Sequence, residues 1–210
     1  MRRITGKHEF IYVADCKVCT SNQLGYIVSQ GGRLITTVPN TWKETMAFKE
    51  ELRLERKGKK RIWRRRIPGG EVEYYSLFCG NYRTEKAGYR IYWYHSSEKR
   101  KTDALSREQK LQKAESNLLA LLPKLNKNKL KTREEIEKRI EEILKKYKVT
   151  EFLNISLTEV RQTSRVQRGR GRPGPKTKYK SCVEMVYSLV WERNKEALKR
   201  ERSVDGIFPL

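Results

Sequence analysis

The stretch FIYVADCKVCTSNQLGYIVSQGGRLITTVP, residues 10–39, decides the fold. Its first five residues are apolar and rich in β-branched and aromatic side chains, which predicts a buried strand that ends before Asp15. Ser21 and Asn22 are candidate N-caps for a short helix, and Gly31-Gly32 ends it. A second strand over residues 33–38 completes a strand–helix–strand unit. Because ligands and metals bind at the carboxyl ends of strands in open α/β sheets, Asp15 lies at a candidate site.

This unit resembles the segment around the second catalytic aspartate of bacterial insertion-sequence transposases of the DDE type, in the insertion-sequence-four-like group. In that family an apolar strand ends in Asp, a polar stretch leads to an Asn near a helix start, and a glycine-rich turn precedes a strand ending near Pro. The matching positions here are Asp15, Ser21-Asn22, Gly31-Gly32 and residues 34–39. The final stretch SVDGIFPL, residues 203–210, resembles the place where the family's chain returns to its catalytic sheet after an insertion.

The resemblance implies an RNase H-like catalytic fold and metal-dependent cleavage and strand transfer of insertion-sequence DNA. Asp15 would be a catalytic residue and a metal ligand, holding Mg²⁺ or Mn²⁺ together with two further carboxylates. The family's first Asp has no room before residue 10, and its Glu, in a Tyr/Arg/Glu/Lys helix, would follow Leu210. We therefore expect a fragment that is inactive alone, whose partners are transposon-end and target DNA and, in a synaptic complex, a second copy of the chain.

The predicted fold class is α/β, a partial RNase H-like sheet with a large α+β insertion that contains a helical hairpin. Residues 1–42 would form the partial catalytic core, residues 43–202 the basic inserted region, and residues 203–210 the truncated return strand. The expected parts of the insertion are strands within 61–95, a helical hairpin at 103–148, strands within 152–191 and a Gly/Arg loop at 167–178.

Periodicity supports the inserted elements. Leu111, Ala114 and Leu118 recur three and four residues apart, as in one stripe of an amphipathic helix. Thr132 and Glu135 have the spacing of a capping box at the start of a second helix. The arginine-rich segment RIWRRRI, residues 61–67, is typical of an edge strand, because arginine side chains discourage pairing with another chain. Stretches 73–80 and 89–95 are rich in aromatic residues and predict two further strands.

The charge balance points to a polyanionic partner. The 210 residues contain 48 Lys and Arg against 25 Asp and Glu, a formal charge of +23. Nucleic acid is the first choice of partner, and a ribosome-like scaffold or a merely soluble basic surface is the alternative. The aromatic strands offer either a stacking platform for bases or ordinary core. The candidate DNA-binding residues are Arg64, Arg65, Arg66, Arg168, Arg170, Arg172, Lys176 and Lys178.

Each candidate also has a structural interpretation. Asp15 could cap the turn that follows its strand, and Asp205 in its Asp-Gly context is expected to form a turn. Cys16 and Cys19 form a C-x-x-C motif without two further ligands nearby, so we expect incidental thiols. Arg170 to Pro173 resembles the core of an AT-hook, and a loop that contacts phosphates without sequence preference is the alternative.

Composition also predicts the cellular location of the protein and offers an alternative to the transposase function. The sequence has no run of eighteen apolar residues and no apolar signal region after its basic start, so we expect a cytoplasmic protein without a membrane partner. If the transposase resemblance is accidental, the charge alone indicates a non-catalytic basic protein that binds DNA or RNA.

Overall fold

The structure is a computed structural model that describes residues 11–127, 130–169, 171–175 and 177–210, and only the backbone of Val18. The described residues form a mixed α/β fold with open sheets, which confirms the predicted class at that level. The chain divides into two compact units. The first contains Met1–Ser106 and Lys199–Leu210, and the second contains Arg107–Leu198.

The strand–helix–strand unit forms as the sequence predicts. β1 (Ile11–Ala14) pairs in parallel with β2 (Arg33–Thr36), and α1 (Ser21–Ser29) lies between them in the chain. The predicted N-caps were wrong, because Thr20 caps α1 by accepting a hydrogen bond from the backbone N–H of Gln23. The prediction of a buried strand was also wrong: Ile11 and Val13 are 55% and 73% exposed.

A four-stranded antiparallel sheet forms the centre of the first unit. Its strands, in spatial order, are β10 (Ile207–Pro209), β7 (Trp93–Ser96), β4 (Val72–Phe78) and β3 (Lys59–Arg66). β3 is at the edge, as its arginine content predicts. A separate small hairpin joins β5 (Tyr82–Arg83) to β6 (Arg90–Ile91). One face of the sheet packs on α2 (Lys43–Leu54), which contributes Phe48 and Leu52 to the core.

The last strand lies beside the segment that follows β2. β10 pairs with β7, and the backbone N–H of Val38 donates to the carbonyl of Pro209 at 3.2 Å. The closing residues of the chain therefore join the same unit as its opening strands. From the sequence, residues 1–42 and 203–210 are assigned to a catalytic core and residues 43–202 to an insertion. That assignment stays a prediction.

The second unit is built on the predicted helical hairpin. α3 (Ser97–Leu121) begins in the first unit and ends in the second, and α4 (Arg133–Tyr147) follows it. The predicted stripe residues Leu111, Ala114 and Leu118 are buried against Ile136 and Ile140 of α4. The capping box of Thr132 and Glu135 is present, which explains why α4 begins where it does.

Two long strands complete the second unit. β8 (Leu153–Gln167) and β9 (Tyr179–Arg193) have 15 residues each and pair without interruption from Leu153↔Arg193 to Gln167↔Tyr179. The short helix α5 (Lys195–Glu201) leads back to the first unit. Within the described parts of the chain, every helix is too short or too polar to cross a lipid bilayer.

Candidate nucleic-acid interface

The β8–β9 ribbon is long compared with the core that supports it. At about 3.4 Å per residue, a 15-residue antiparallel strand spans about 50 Å. Only the half nearest the helices is anchored: Leu153 and Leu189 are buried in the hairpin core, and Ile155, Leu157 and Trp191 pack against it. These side chains share one face of the ribbon because directly paired residues of an antiparallel ladder point to the same side.

The other half of the ribbon and its connecting loop, residues 160–186, are defined here as the arm. No residue that the structure describes in the arm is buried, and none belongs to either hydrophobic core. The arm sequence contains eight Lys or Arg residues and one acidic residue, Glu184. Strong positive charge is therefore carried on a two-stranded ribbon that does not pack on the core.

The basic residues of the arm lie on both faces and at its tip. Arg161 and Arg165 are exposed on the face that continues from the core-packed side, and Lys180 is exposed on the other. None of the arm's described Lys and Arg side chains forms an ion pair with another described residue. Sequence reasoning missed Arg161 and Arg165, although their four-residue spacing within a predicted strand would place them on one face.

The tip holds the predicted Gly/Arg loop. Arg168, Arg172 and Lys178 are exposed there, whereas Arg170 and Lys176 lie outside the described residues. Backbone and side-chain hydrogen bonds shape the loop: the N–H of Arg168 donates to the carbonyl of Lys178 at 2.9 Å, and that of Gly174 donates to the hydroxyl of Thr177 at 2.7 Å. The described charged groups of the tip therefore face solvent.

A second basic surface lies on β3, whose sequence is KKRIWRRR and whose eight residues are all exposed. Arg65 pairs with Glu73 at 2.8 Å and lies over the ring of Trp63, so part of its charge is already compensated. Arg64 and Arg66 have no ion-pair partner within the described residues. The three arginines predicted to bind DNA thus differ, with Arg64 and Arg66 better placed to take a phosphate.

The aromatic residues of the sheet divide by face. Phe78 and Trp93 point into the core, where Phe48 stacks on Trp93 with ring centroids 4.1 Å apart. On the opposite face, Tyr94 stacks on Phe208 at 5.7 Å. Trp63, on that same face, lies 5.3 Å from Tyr75 and is 42% exposed. The core interpretation therefore describes one face, and a base-stacking role for the other face stays a prediction.

Asp15 is exposed and directly follows β1. Its carboxylate accepts a hydrogen bond from the backbone N–H of Lys17 at 3.0 Å, and its carbonyl accepts one from the hydroxyl of Thr36 at 2.8 Å. Asp15 therefore caps the short 3₁₀ turn Cys16–Val18 and also lies at the carboxyl end of both parallel strands. In the described parts of the chain, no group of three or more His, Cys, Asp or Glu side chains is arranged to hold a metal.

The remaining sequence candidates have structural surroundings. Asp205 is buried in the turn before β10. Gly206 follows it with φ of +78°, and the backbone N–H of Gly206 donates to Asp103 at 2.9 Å. Cys16 and Cys19 are both free thiols, and burial, followed by the nearby Cys16, raises the pKa of Cys19. A raised thiol pKa disfavours the reactive thiolate.

Comparison of the chain with protein-family models, with curated proteins and with solved structures found no match.

Proposed function

We propose that the protein binds double-stranded DNA through the arm. One observation carries the proposal: β8 and β9 pair without interruption, and the half of this ribbon that leaves the core is the arm. The arm sequence has eight basic residues and one acidic residue. The B-DNA major groove is about 12 Å wide and admits a two-stranded β-ribbon. A ribbon anchored at one end can therefore enter the groove while its arginines reach the flanking phosphates.

The charge distribution favours phosphate contacts over base reading. Arg161 and Arg165 lie on one face of the ribbon and Lys180 lies on the other. These side chains can therefore neutralise phosphates of both DNA strands that border a groove. Each neutralised phosphate releases counterions, which lowers the slope of log affinity against log salt by about 0.9. A-form RNA has a deep, narrow major groove that side chains cannot read, so the arm should prefer DNA duplexes over RNA duplexes.

The test compares two double variants of equal charge. R161Q/R165Q removes two arginines from the arm, and K110Q/K113Q removes two exposed lysines from α3 in the same unit. Fluorescence anisotropy with a DNA duplex, repeated over a salt series, should show that the arm variant loses about two units of salt slope and at least about tenfold in affinity. The helix variant should change affinity less than about twofold. Equal losses in the two variants would show that binding follows net charge and does not involve the arm.

A second candidate function is metal-dependent DNA strand transfer of the DDE transposase kind, with an RNase H-like catalytic sheet. Asp15 at the carboxyl end of β1, beside the parallel β2, favours it, since ligands bind at that edge of parallel sheets. Parallel sheets are normally covered on both faces, yet Ile11, Val13 and Ile35 are 55%, 73% and 45% exposed. These apolar side chains support a role for β1 and β2 as part of a larger sheet that further strands or helices cover.

In this interpretation Asp15 would supply one carboxylate to a Mg²⁺ or Mn²⁺ site, and other segments would supply the rest. Residues 1–210 alone are then expected to show no strand transfer. A polypeptide that also carries the family's other two acidic segments should cleave DNA with Mg²⁺, and Asp15→Asn should abolish that cleavage while Glu184→Gln retains it. Activity that persists in the Asp15→Asn protein would remove the catalytic role and leave the non-catalytic DNA-binding protein.

A further inference from the structure

The first unit contains a cleft of about 450 Å³, defined here as the cationic cleft. Phe78 and His95 of the central sheet and Arg100 from the start of α3 line it. Two carboxylates, Glu55 and Asp205, also line it. The cations that line it are Arg56, Lys57, Lys59, Arg100, Lys199 and Arg202. A volume of this size lies in the range of sites that hold small molecules, about 300–1,000 Å³.

The two carboxylates do not balance these cations. Lys57 already binds Glu51 at 2.6 Å and lies 3.8 Å from Glu55. Asp205 is buried and has an interaction of its own. Of the other five cations, none forms an ion pair with any described residue. Positive charge is therefore concentrated in a concave, partly desolvated place, where an anion would be strongly favoured.

His95 provides a second, independent observation. It is 4% exposed, and its Nδ1 has no hydrogen-bond partner within the described part of the chain. Buried polar atoms are nearly always paired, so an unpaired imidazole nitrogen beside a cleft is a place where a ligand atom could pair. Burial, followed by the charges of Lys59 and Arg100, lowers the pKa of His95 to about 4, which keeps the imidazole neutral at pH 7.

Lys59, which lines the same cleft, is affected in the same way. Desolvation, followed by the charge of Arg100, lowers the pKa of its ammonium group. Its Nζ lies 5.6 Å from the centre of the Phe78 ring, on the core-facing side of β3. Lys60, the next residue, pairs with Leu77 and points to the opposite face. Two adjacent lysines of one strand therefore differ in whether they reach the cleft.

We propose that the cationic cleft is a phosphate-binding site, in which Lys59 and Arg100 bind the phosphate oxygens and His95 completes its hydrogen bonds. The ligand is either a free phosphate compound or a phosphate of a bound nucleic acid, since both present the same group. No described residue of the arm lines the cleft, so this site goes beyond the proposed DNA contact and does not depend on it.

The experiment follows His95 by ¹H–¹⁵N NMR during titration with inorganic phosphate. The chain has only two histidines, so a His8→Ala background leaves His95 as the single imidazole signal. Bound phosphate should raise the pKa of His95 by about 1–3 units, because a nearby opposite charge favours the protonated form. Chloride at the same ionic strength should leave it unchanged. Absence of a phosphate-specific shift overturns the proposal.

Matched variants identify the site. Lys59→Gln should weaken phosphate binding by about tenfold, the loss typical of one charged hydrogen bond, and Lys60→Gln should change it less than about twofold. Arg100→Gln is a second cleft variant that tests the same site from α3. Equal affinities in the Lys59→Gln and Lys60→Gln proteins, with Arg100→Gln also unchanged, would overturn the assignment.

Oligonucleotides distinguish the two sources of phosphate. If the site takes a nucleic-acid terminus, a 5′-phosphorylated single strand should displace inorganic phosphate while the same strand with a 5′-hydroxyl does not. Displacement by both strands indicates a backbone phosphate, and displacement by neither indicates a free phosphate compound. These displacement experiments are interpreted only after phosphate has been shown to raise the pKa of His95. The R161Q/R165Q protein should show an unchanged His95 response, so failure of the arm proposal and failure of this one are separable.

Discussion

The two units of the molecule have cores of different chemistry. The second unit is stabilised by aliphatic side chains, among them Leu111, Leu118 and Ile136, which are at most 1% exposed. The first unit is stabilised by an aromatic cluster in which Phe48 contacts Phe78, Tyr82 and Trp93. Cations lie against these rings, with Lys57 over Phe48 at 5.8 Å and Lys59 over Phe78 at 5.6 Å. Cation–π contacts of this kind bring positive charge to the edge of the core.

The units also differ in how well their polar groups are paired. In the second unit, Arg193 binds Glu108 and Glu115 through hydrogen bonds of 2.7–3.0 Å. Among the described residues, the buried polar side-chain atoms without a partner are the Thr45 hydroxyl and His95 Nδ1, and both lie in the first unit. Unpaired buried polar atoms often lie at functional sites, so this difference agrees with the proposed phosphate site in the first unit, while the proposed DNA contact is made by the arm of the second unit.

The largest expected effect tests whether the second unit depends on its aliphatic core. Leu118 is completely buried, and its neighbour Leu119 is 57% exposed. Leu118→Ala should lower the free energy of unfolding by about 2–5 kcal/mol, because it removes buried methyl groups and leaves a cavity. Leu119→Ala should change it by less than about 0.5 kcal/mol. Urea unfolding followed by circular dichroism measures both, and a Leu118→Ala loss no larger than that of Leu119→Ala would contradict the comparison.

Local patterns in the sequence predicted the second unit well. The spacing of Leu111, Ala114 and Leu118 specifies a helix face without knowledge of what covers it, and the Thr132 and Glu135 pair specifies where α4 begins. Edge strand β3 was predicted because arginine side chains discourage pairing with another chain, and all eight of its residues are exposed in the structure. These features depend on residues within one turn or one strand of each other, which is the distance over which sequence patterns carry information.

The first unit was harder to predict because its features depend on distant residues. Lys59, His95, Arg100 and Arg202 line one cleft and come from three stretches that are far apart in the chain: β3, the β7–α3 junction and the turn after α5. Within KKRIWRRR a bulge at Ile62 shifts the alternation, so sequence alone does not say which arginines face the core side. Thr20, Ser21 and Asn22 are all good caps, and only the geometry selects Thr20. The apolar run before Asp15 gave no sign that Ile11 and Val13 would be exposed.

The next effect in size tests the buried histidine of the first unit. His95 has a folded pKa of about 4, below the unfolded value of about 6.5, so the unfolded chain binds more protons between these values. The stability from keeping His95 neutral is therefore fully present above pH 6.5 and is lost as the pH falls toward 4. The loss should approach about 3 kcal/mol, and it should be seen by urea unfolding in buffers without phosphate.

A His8→Ala protein and a His8→Ala/His95→Gln protein isolate this contribution. The first should lose stability between pH 6.5 and 4, and the second should show a much flatter profile over the same range. The charged groups that line the cleft with His95, including the carboxylates Glu55 and Asp205, are present in both proteins. Parallel profiles in the two proteins would mean that His95 titrates as an exposed histidine does.

The smallest effect tests the unpaired hydroxyl directly, with two threonines expected to respond in opposite directions. Thr45 is fully buried in α2 with no partner for its hydroxyl among the described residues, whereas the hydroxyl of Thr36 donates to the carbonyl of Asp15. Thr45→Val exchanges an unpaired hydroxyl for a methyl group of the same shape and should raise the free energy of unfolding by about 1 kcal/mol. Thr36→Val removes a hydrogen bond and should lower it by about 1 kcal/mol. Thermal unfolding of both variants measures the sign of each change. A loss of stability in the Thr45→Val protein would indicate that this hydroxyl is hydrogen-bonded in solution, and His95 Nδ1 would then be the one buried side-chain atom without a partner among the described residues of either unit.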